Sequence, residues 1–366
     1  MEFHFFLTGL IAVTGLYYGL EKNKKNSNIY TYVILIFLFL FAGFRDITVG
    51  NDTYEYVRQF NSLSGISGIL NNIEISRYEI GYVALCTIIK TFTNNYTVLL
   101  SIVSAFYLIS VGRFINKYSQ NKWLSIMVFY LIGNYFLIFN IIRQCIVICI
   151  LLNSIDYIIS NKKKKYIISM LVATTFHISS VVLIPLVFIR EYKLNIKQHI
   201  RILIITIALI LVFDKLMLLI VNILPQYKSY YMESIYSEGG VRLASIVNII
   251  VIGIIMLICK IFSGKKYKNL NNSERNNIEN VYMNLFELMT IINVVILILS
   301  LQFNLLDRIS EYFTSILIVY LPNSISRLGK YTYLIGYIVI CLLVIYITVI
   351  LYARPEWSGI LPYKFK

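Results

Sequence analysis

The sequence predicts an all-α polytopic integral membrane protein, and three observations carry that prediction. Of its 366 residues 58% are hydrophobic and 15% aromatic, with a mean hydropathy of +0.73, far above the apolar share of soluble domains. Apolar stretches near spanning length recur from end to end, enough for roughly 10–14 membrane helices once re-entrant or broken segments are counted. Basic residues collect in the short loops between those stretches, as membrane topology requires. The chain therefore reads as one polytopic membrane domain, 1–366. Its 33 Lys and Arg against 18 Asp and Glu leave a net charge of +15. Because the lysines sit in short loops, topology explains that charge and no nucleic-acid partner is expected.

Residues 3–20 form the first helix. No small-residue cleavage site follows them, and the lysines of KNKKNSN come after the apolar run, opposite to a signal peptide. The lysine-rich loops are assigned to the cytoplasmic side: Lys22, Lys24 and Lys25; Arg113, Lys117 and Lys122; Lys162, Lys163, Lys164 and Lys165; Arg190, Lys193, Lys197 and Arg201; Lys265, Lys266 and Lys268; Arg327 and Lys330. Fixing these inside puts 45–78 outside as a loop with a short interfacial helix, and with it 140–144, 225–241, 303–309 and the tail 354–366. Two stretches then break parity. Residues 79–112 must cross an odd number of times yet hold two apolar segments around TFTNN, and 166–189 must make no net crossing. A re-entrant element in each restores the count, since irregular backbone at membrane depth is tolerated where protein or a watery cavity surrounds it. In the second, a helix rising from Lys165 lifts His177 roughly 18 Å, at about 1.5 Å per residue, before the chain turns back at Ser179 and Ser180. A single span with 190–201 outside is the alternative.

The five cysteines, Cys86, Cys145, Cys149, Cys259 and Cys341, all lie in apolar runs and read as packing residues. Polar motifs between the spans are more informative, because ionisable groups near lipid are costly and functional by default. In FRDITVGNDTYEYVRQF (44–60), Asp52 stands where an N-cap would start a short helix carrying Tyr54, Tyr56 and Phe60. It serves as cap, as site residue, or as both. In RYEIGY (77–82), Glu79 lies at the mouth of an apolar run, either salt-bridged to Arg77 or Arg45 or orienting a hydroxyl of a ligand. In FNIIRQ (139–144), Arg143 has only Asn140 and Gln144 as polar company, so it needs an anionic partner or a wet vestibule, unless it snorkels to the interface. FHISS (176–180) holds His177, the one histidine set between apolar flanks, as a structural or a catalytic group. In DRISEYF (307–313), Arg308 and Tyr312 share a helix face, as do Asp307 and Glu311. The like charges call for cationic neighbours, as an internal lattice or as a site. The motif residues assigned outside are arginines, whose planar forks suit phosphate oxygens, which points to an anionic ligand. The aromatic tail RPEWSGILPYKFK reads as a segment folding back over that face.

No glycine-rich phosphate loop, paired metal carboxylates, nucleophile elbow or metal-spaced His/Cys set occurs, so ATP hydrolysis, metal chemistry and a bound cofactor are not expected.

The succession FAGFRDITVGNDTYEY, YEIGY, FNIIRQ, LVATTFHISS, DRISEYF and LPYKF, from about residue 40 to the C-terminus, resembles the EpsG/Wzy class of polysaccharide polymerases of O-antigen, capsule and exopolysaccharide synthesis. The resemblance implies a lipid-dependent membrane glycosyltransferase of GT-C-like style on the outer face of a bacterial cytoplasmic membrane. It would move a growing glycan from undecaprenyl pyrophosphate to a hydroxyl of a lipid-linked repeat unit, with a chain-length regulator as a partner. Such chemistry needs stabilisation of the leaving pyrophosphate and removal of a hydroxyl proton. Within that reading Arg143, Arg308 and Arg45 take the pyrophosphate, His177 is the leading base with Asp52 or Glu79 as alternatives, and Tyr56, Gln144 and Tyr312 contact substrate. A glycan ligase and a lipid-linked oligosaccharide flippase are the competing classes; a transporter would carry internal repeats and midplane charges.

Overall fold

The structure is a computed structural model, and it describes residues 2–15, 24–190, 192, 194–223, 243–263 and 273–366. The external loop expected at 225–241 lies outside the described residues. Among those described there is no β-strand; an isolated antiparallel bridge joins Arg45 to Phe365. Among the described residues five helices are long and apolar enough to cross a membrane, or six if the bent pair Lys122–Leu131 with Asn134–Asn140, at 58°, is one span. Shorter apolar helices accompany them, so the all-α polytopic class predicted from the sequence is what the chain adopts.

The helices pack as two compact units, 1–187 with 317–366, and 188–316. The first unit holds α1 (Glu2–Thr14), α2 (Lys24–Gly43), α3 (Thr53–Ser62), α4 (Ile69–Ile75), α5 (Ile80–Phe92), α6 (Tyr96–Tyr118), α7 (Lys122–Leu131), α8 (Leu137–Asn140), α9 (Ile142–Ile159) and α10 (Lys163–Phe176). Asparagine side chains start two of them: Asn95 Oδ1 accepts from Thr97 N at 3.1 Å before α6, and Asn121 Oδ1 from Leu124 N at 3.1 Å before α7, each satisfying an orphan amide of the first turn. Helix α9 is the inner helix, with 67% of its spanning window buried, against α6 on one side and α10 on the other.

Both stretches that break parity are visible here. Helix α5, with 13 residues, is shorter than the helices able to span. Its Thr87 Oγ1 accepts from Asn72 Nδ2 at 2.9 Å, its Thr91 Oγ1 from Ile66 N at 2.9 Å, and the Lys90 ammonium lies 4.8 Å from the Phe60 ring. It rests along α3 and α4, and α6 is the helix of this stretch long and apolar enough to cross. After α10 the chain turns at His177 and returns as a 3-10 helix, Ile178–Phe188, with the Tyr166 hydroxyl donating to Leu183 O at 2.8 Å. Residues 163–188 are thus a helical hairpin that begins and ends at one end of the unit, with His177 at its far tip.

The two ends of this unit differ in charge. Lys117 and Arg113 pair with Asp156, the latter at 3.3 Å, beside the lysines of 162–165. The other end carries the polar motifs and the tail. After α15 (Leu317–Ser326) and α16 (Thr332–Thr348), the tail folds back as the sequence suggests: Gly50 N donates to Gly359 O at 2.7 Å, Asp46 N to Lys364 O at 3.0 Å and Lys366 N to Phe44 O at 3.1 Å. Four cysteines are buried as packing residues, whereas Cys341 on α16 is exposed.

The second unit comprises α11 (Ile196–Ile223), α12 (Leu243–Ser263), α13 (Ser273–Ser300) and α14 (Leu306–Thr314). Ser245 of α12 donates to Asp307 of α14 at 2.6 Å, and Asn293 of α13 to Thr314 of α14 at 2.9 Å.

Candidate active site

Glu79, Arg143 and His177 come together from three separate elements. Glu79 immediately precedes α5, Arg143 is the second residue of α9, and His177 terminates α10. Glu79 Oε2 is ion-paired with Arg143 Nη1, while Oε1 bonds His177 Nδ1 at 2.8 Å and accepts from Ile178 N at 3.1 Å. One carboxylate therefore ties the first turn of α9 to the tip of the α10 hairpin. Helix α5 reaches that tip because residue 81 is glycine: a Cβ there would stand 2.4 Å from Thr175 Oγ1 and 2.8 Å from the Thr175 carbonyl oxygen.

The cluster is partly wet. The side chains of Arg143, Glu79 and His177 keep 17%, 19% and 19% of their surface exposed, enough for a ligand atom to reach them. Burial works to raise the Glu79 pKa, but the hydrogen bond from His177 and the charges of Arg143 and His177 outweigh it and hold the carboxylate at about 2. Glu79 is thus ionised at neutral pH and can only accept hydrogen bonds. The proton shared with His177 consequently resides on Nδ1, and in the neutral imidazole the lone pair is on Nε2. That is the tautomer a general base needs.

Tyrosines back the cluster. The Arg143 guanidinium lies 4.3 Å from the centroid of the Tyr78 ring, and Tyr56, Tyr78 and Tyr82 pack with centroids 5.6–5.8 Å apart. Tyr56 is 5% exposed and its hydroxyl faces Arg143; burial, only partly opposed by that arginine, pushes the phenol up to about 12. It supports the arginine from behind instead of meeting solvent. Asp52 occupies the N-cap position of α3, yet its side chain makes no cap bond. The half-buried carboxylate acts electrostatically on Tyr56.

Three expected site residues are placed differently. Arg45 is fully buried, its guanidinium donating to the carbonyl oxygens of Ala42 and, at 3.0 Å, Ile138, and to Thr53 Oγ1 at 3.4 Å, with the Phe139 ring 5.0 Å away. Carbonyl ends of α2 and α8 satisfy it, and no ligand reaches it. Gln144 is 3% exposed with Oε1 lacking a partner. Tyr312 is 0% exposed, because its face of α14 points into packed protein. In the second unit Arg308 is exposed on α14.

Sequence reasoning quoted Tyr78 and Gly81 within a motif but gave neither a task; the G–Y pair following a carboxylate was the available signal. Among the described residues no His, Cys, Asp and Glu grouping could hold a metal ion.

The fold and this cluster define a class: a multi-pass helical membrane protein whose polar motifs build one Glu–Arg–His centre in the first unit. The chain belongs to the EpsG family, whose model matches residues 28–365. Membership in that family is what points to a glycosyltransferase-like polymerase of exopolysaccharide biosynthesis. Comparison with curated proteins and with solved structures gives no match.

Proposed function

We propose that the protein lengthens a polysaccharide by transferring a growing glycan from undecaprenyl pyrophosphate to a hydroxyl of a lipid-linked repeat unit, at the outer face of a bacterial cytoplasmic membrane. The single observation that carries this reading is the bond between Glu79 Oε1 and His177 Nδ1 beside the Arg143–Glu79 ion pair. In it a base and a cation are fixed to one carboxylate, which matches the two demands of the reaction.

In the transfer, the acceptor hydroxyl oxygen attacks the anomeric carbon of the donor, and its proton passes to His177 Nε2. The carbon–oxygen bond to the pyrophosphate breaks with its electron pair, and the added negative charge falls beside Arg143. Glu79 stabilises the imidazolium that forms, as an oriented carboxylate does for a histidine base. Preorganised cations at a developing charge supply several kcal/mol of a barrier, on the order of 100-fold to 1,000-fold in rate. Arg45 is assigned a holding role in place of the pyrophosphate. The lysine-rich end would face the cytoplasm, which turns the site outward.

Purified protein given only lipid-linked repeat unit tests this. Longer carrier-linked glycan, lost in His177→Ala and Arg143→Ala at equal protein level, is the expected result. No product without a second acceptor would make it a ligase, and movement of the lipid without covalent change a flippase. Full activity of His177→Ala would remove that residue from the chemistry.

A further inference from the structure

Next to the site lies a second charged group that the transfer step does not use. Glu55 Oε2 accepts from Arg58 Nη2 and from Arg77 Nη2, each at 2.7 Å, and Arg77 Nη2 also donates to the Tyr78 hydroxyl at 3.2 Å. Nε and Nη1 of both arginines have no partner among the described residues, and the two side chains are 62% and 58% exposed. Two guanidinium groups against one carboxylate leave a positive surplus aimed at solvent. The Tyr78 ring is common to both groups: the Arg77 guanidinium carbon is 5.2 Å from its centroid and that of Arg143 is 4.3 Å. The Arg77 guanidinium carbon therefore lies within about 9.5 Å of that of Arg143, and Arg58 joins it through Glu55.

We propose that Arg58 and Arg77 form a subsite for a carboxylate-bearing sugar of the glycan, adjacent to the sugar being joined. This rests on the polymerase reading and narrows its substrate to acidic repeat units. A carboxylate takes an arginine fork through two parallel hydrogen bonds. Glu55 holds the forks in place without using their outward donors. Exposed ion pairs of this kind are weak and screened, so accepting a ligand carboxylate disturbs little. The leaving pyrophosphate is not the occupant, because it departs from the anomeric carbon at Arg143. A lipid headgroup shares this anionic chemistry, and added phosphatidylglycerol in the test separates the two.

The test uses the full chain in nanodiscs of phosphatidylcholine with the lipid-linked repeat unit of the producing strain, either native or carboxyl-reduced. Wild type is expected to show a KM about tenfold lower for the native unit, the range one charged hydrogen-bonded contact supplies. The Arg58→Gln/Arg77→Gln double variant should lose that preference with kcat within about twofold of wild type. Each of three results overturns the subsite: a polysaccharide with no acidic sugar, equal KM for both substrates in wild type, or a double variant that raises both KM values alike, which is the mark of a mere staple between α3 and α5. A preference that appears only when phosphatidylglycerol is added assigns the arginines to headgroups and overturns it as well. If wild type elongates neither substrate, the polymerase reading fails instead, and binding of the native and carboxyl-reduced units to wild type and to the double variant still decides the subsite.

Discussion

Glu79 makes three bonds to two separate elements, and its replacement is the sharpest test at residue scale. Glutamine keeps the size but presents amide protons where Arg143 also donates, so Glu79→Gln should reduce transfer by about 100-fold or more, read as initial rates on purified protein. Its pH signature follows from the depressed pKa. A group whose folded value of about 2 lies below the ordinary 4.5 contributes stability that is complete above about 5 and is lost as pH falls toward 2. The difference in Tm between wild type and Glu79→Gln should therefore shrink as pH falls below about 4.5. Arg45 behaves otherwise. Its guanidinium closes carbonyl ends of α2 and α8, where helix dipoles are negative, and Arg45→Met should cost on the order of 3 kcal/mol by leaving buried carbonyls unpaired. Thermal unfolding in detergent checks this, and an unchanged Tm would contradict the holding role. Residue types at this scale were legible: an Arg, a Glu and a His flanked by apolar runs announced themselves. That Glu79 joins the other two was not, because 64 and 98 residues separate the partners and only tertiary packing closes those gaps. Arg45 was misplaced for a related reason, since burial leaves no mark on a motif that also contains exposed residues.

Elements carry the geometry that those residues require. Helix α5 can lie against the tip of α10 only without a side chain at 81, so Gly81→Ala must push backbone away from Thr175. Alanine is the better helix former by about 1 kcal/mol, yet the clash should outweigh that gain and destabilise by about 1–3 kcal/mol, with transfer falling as far as in Glu79→Gln. A more stable and fully active variant would show that the helices do not need that proximity. The tail acts on the site from the other side. Asn140 Oδ1 accepts from Asn51 N at 2.6 Å and its Nδ2 donates to Ser358 O at 2.9 Å, three residues before Arg143. Gly359 sits at φ +61 with Asn51 Oδ1 only 2.1 Å from where a Cβ would be. Gly359→Ala should therefore release the tail and lower turnover by loosening the α8–α9 turn, and increased proteolysis after residue 353 would report it. At this scale charge parity proved the most informative signal in the sequence. It required a reversal near His177 and a non-crossing segment in 79–112, although it could not say that α5 would be that segment.

At the scale of the whole molecule, the division into two units was invisible in the sequence, because apolar runs on both sides of residue 188 have the same lengths and the same basic punctuation. What the sequence did carry is a difference between the ends of the first unit. The lysine run 162–165 lies with Arg113 and Lys117 at the Asp156 end, and the tail packs on the arginine motif at 44–46; lysine-rich loops resist translocation, whereas forked guanidinium groups suit bound anions. Orientation then becomes measurable. In a background freed of its five cysteines, Asn71→Cys, exposed on α4, and Lys164→Cys, exposed at the start of α10, report opposite ends. A membrane-impermeant maleimide should label the first in intact cells and the second only after permeabilisation. Labelling of Lys164→Cys in intact cells, with Asn71→Cys protected, would leave the Glu79–Arg143–His177 geometry as it is but turn the site toward the cytoplasm. Transfer between lipid-linked glycans on the outer leaflet would then have no access to His177, so this one measurement separates the chemistry of the site from its proposed place in the cell.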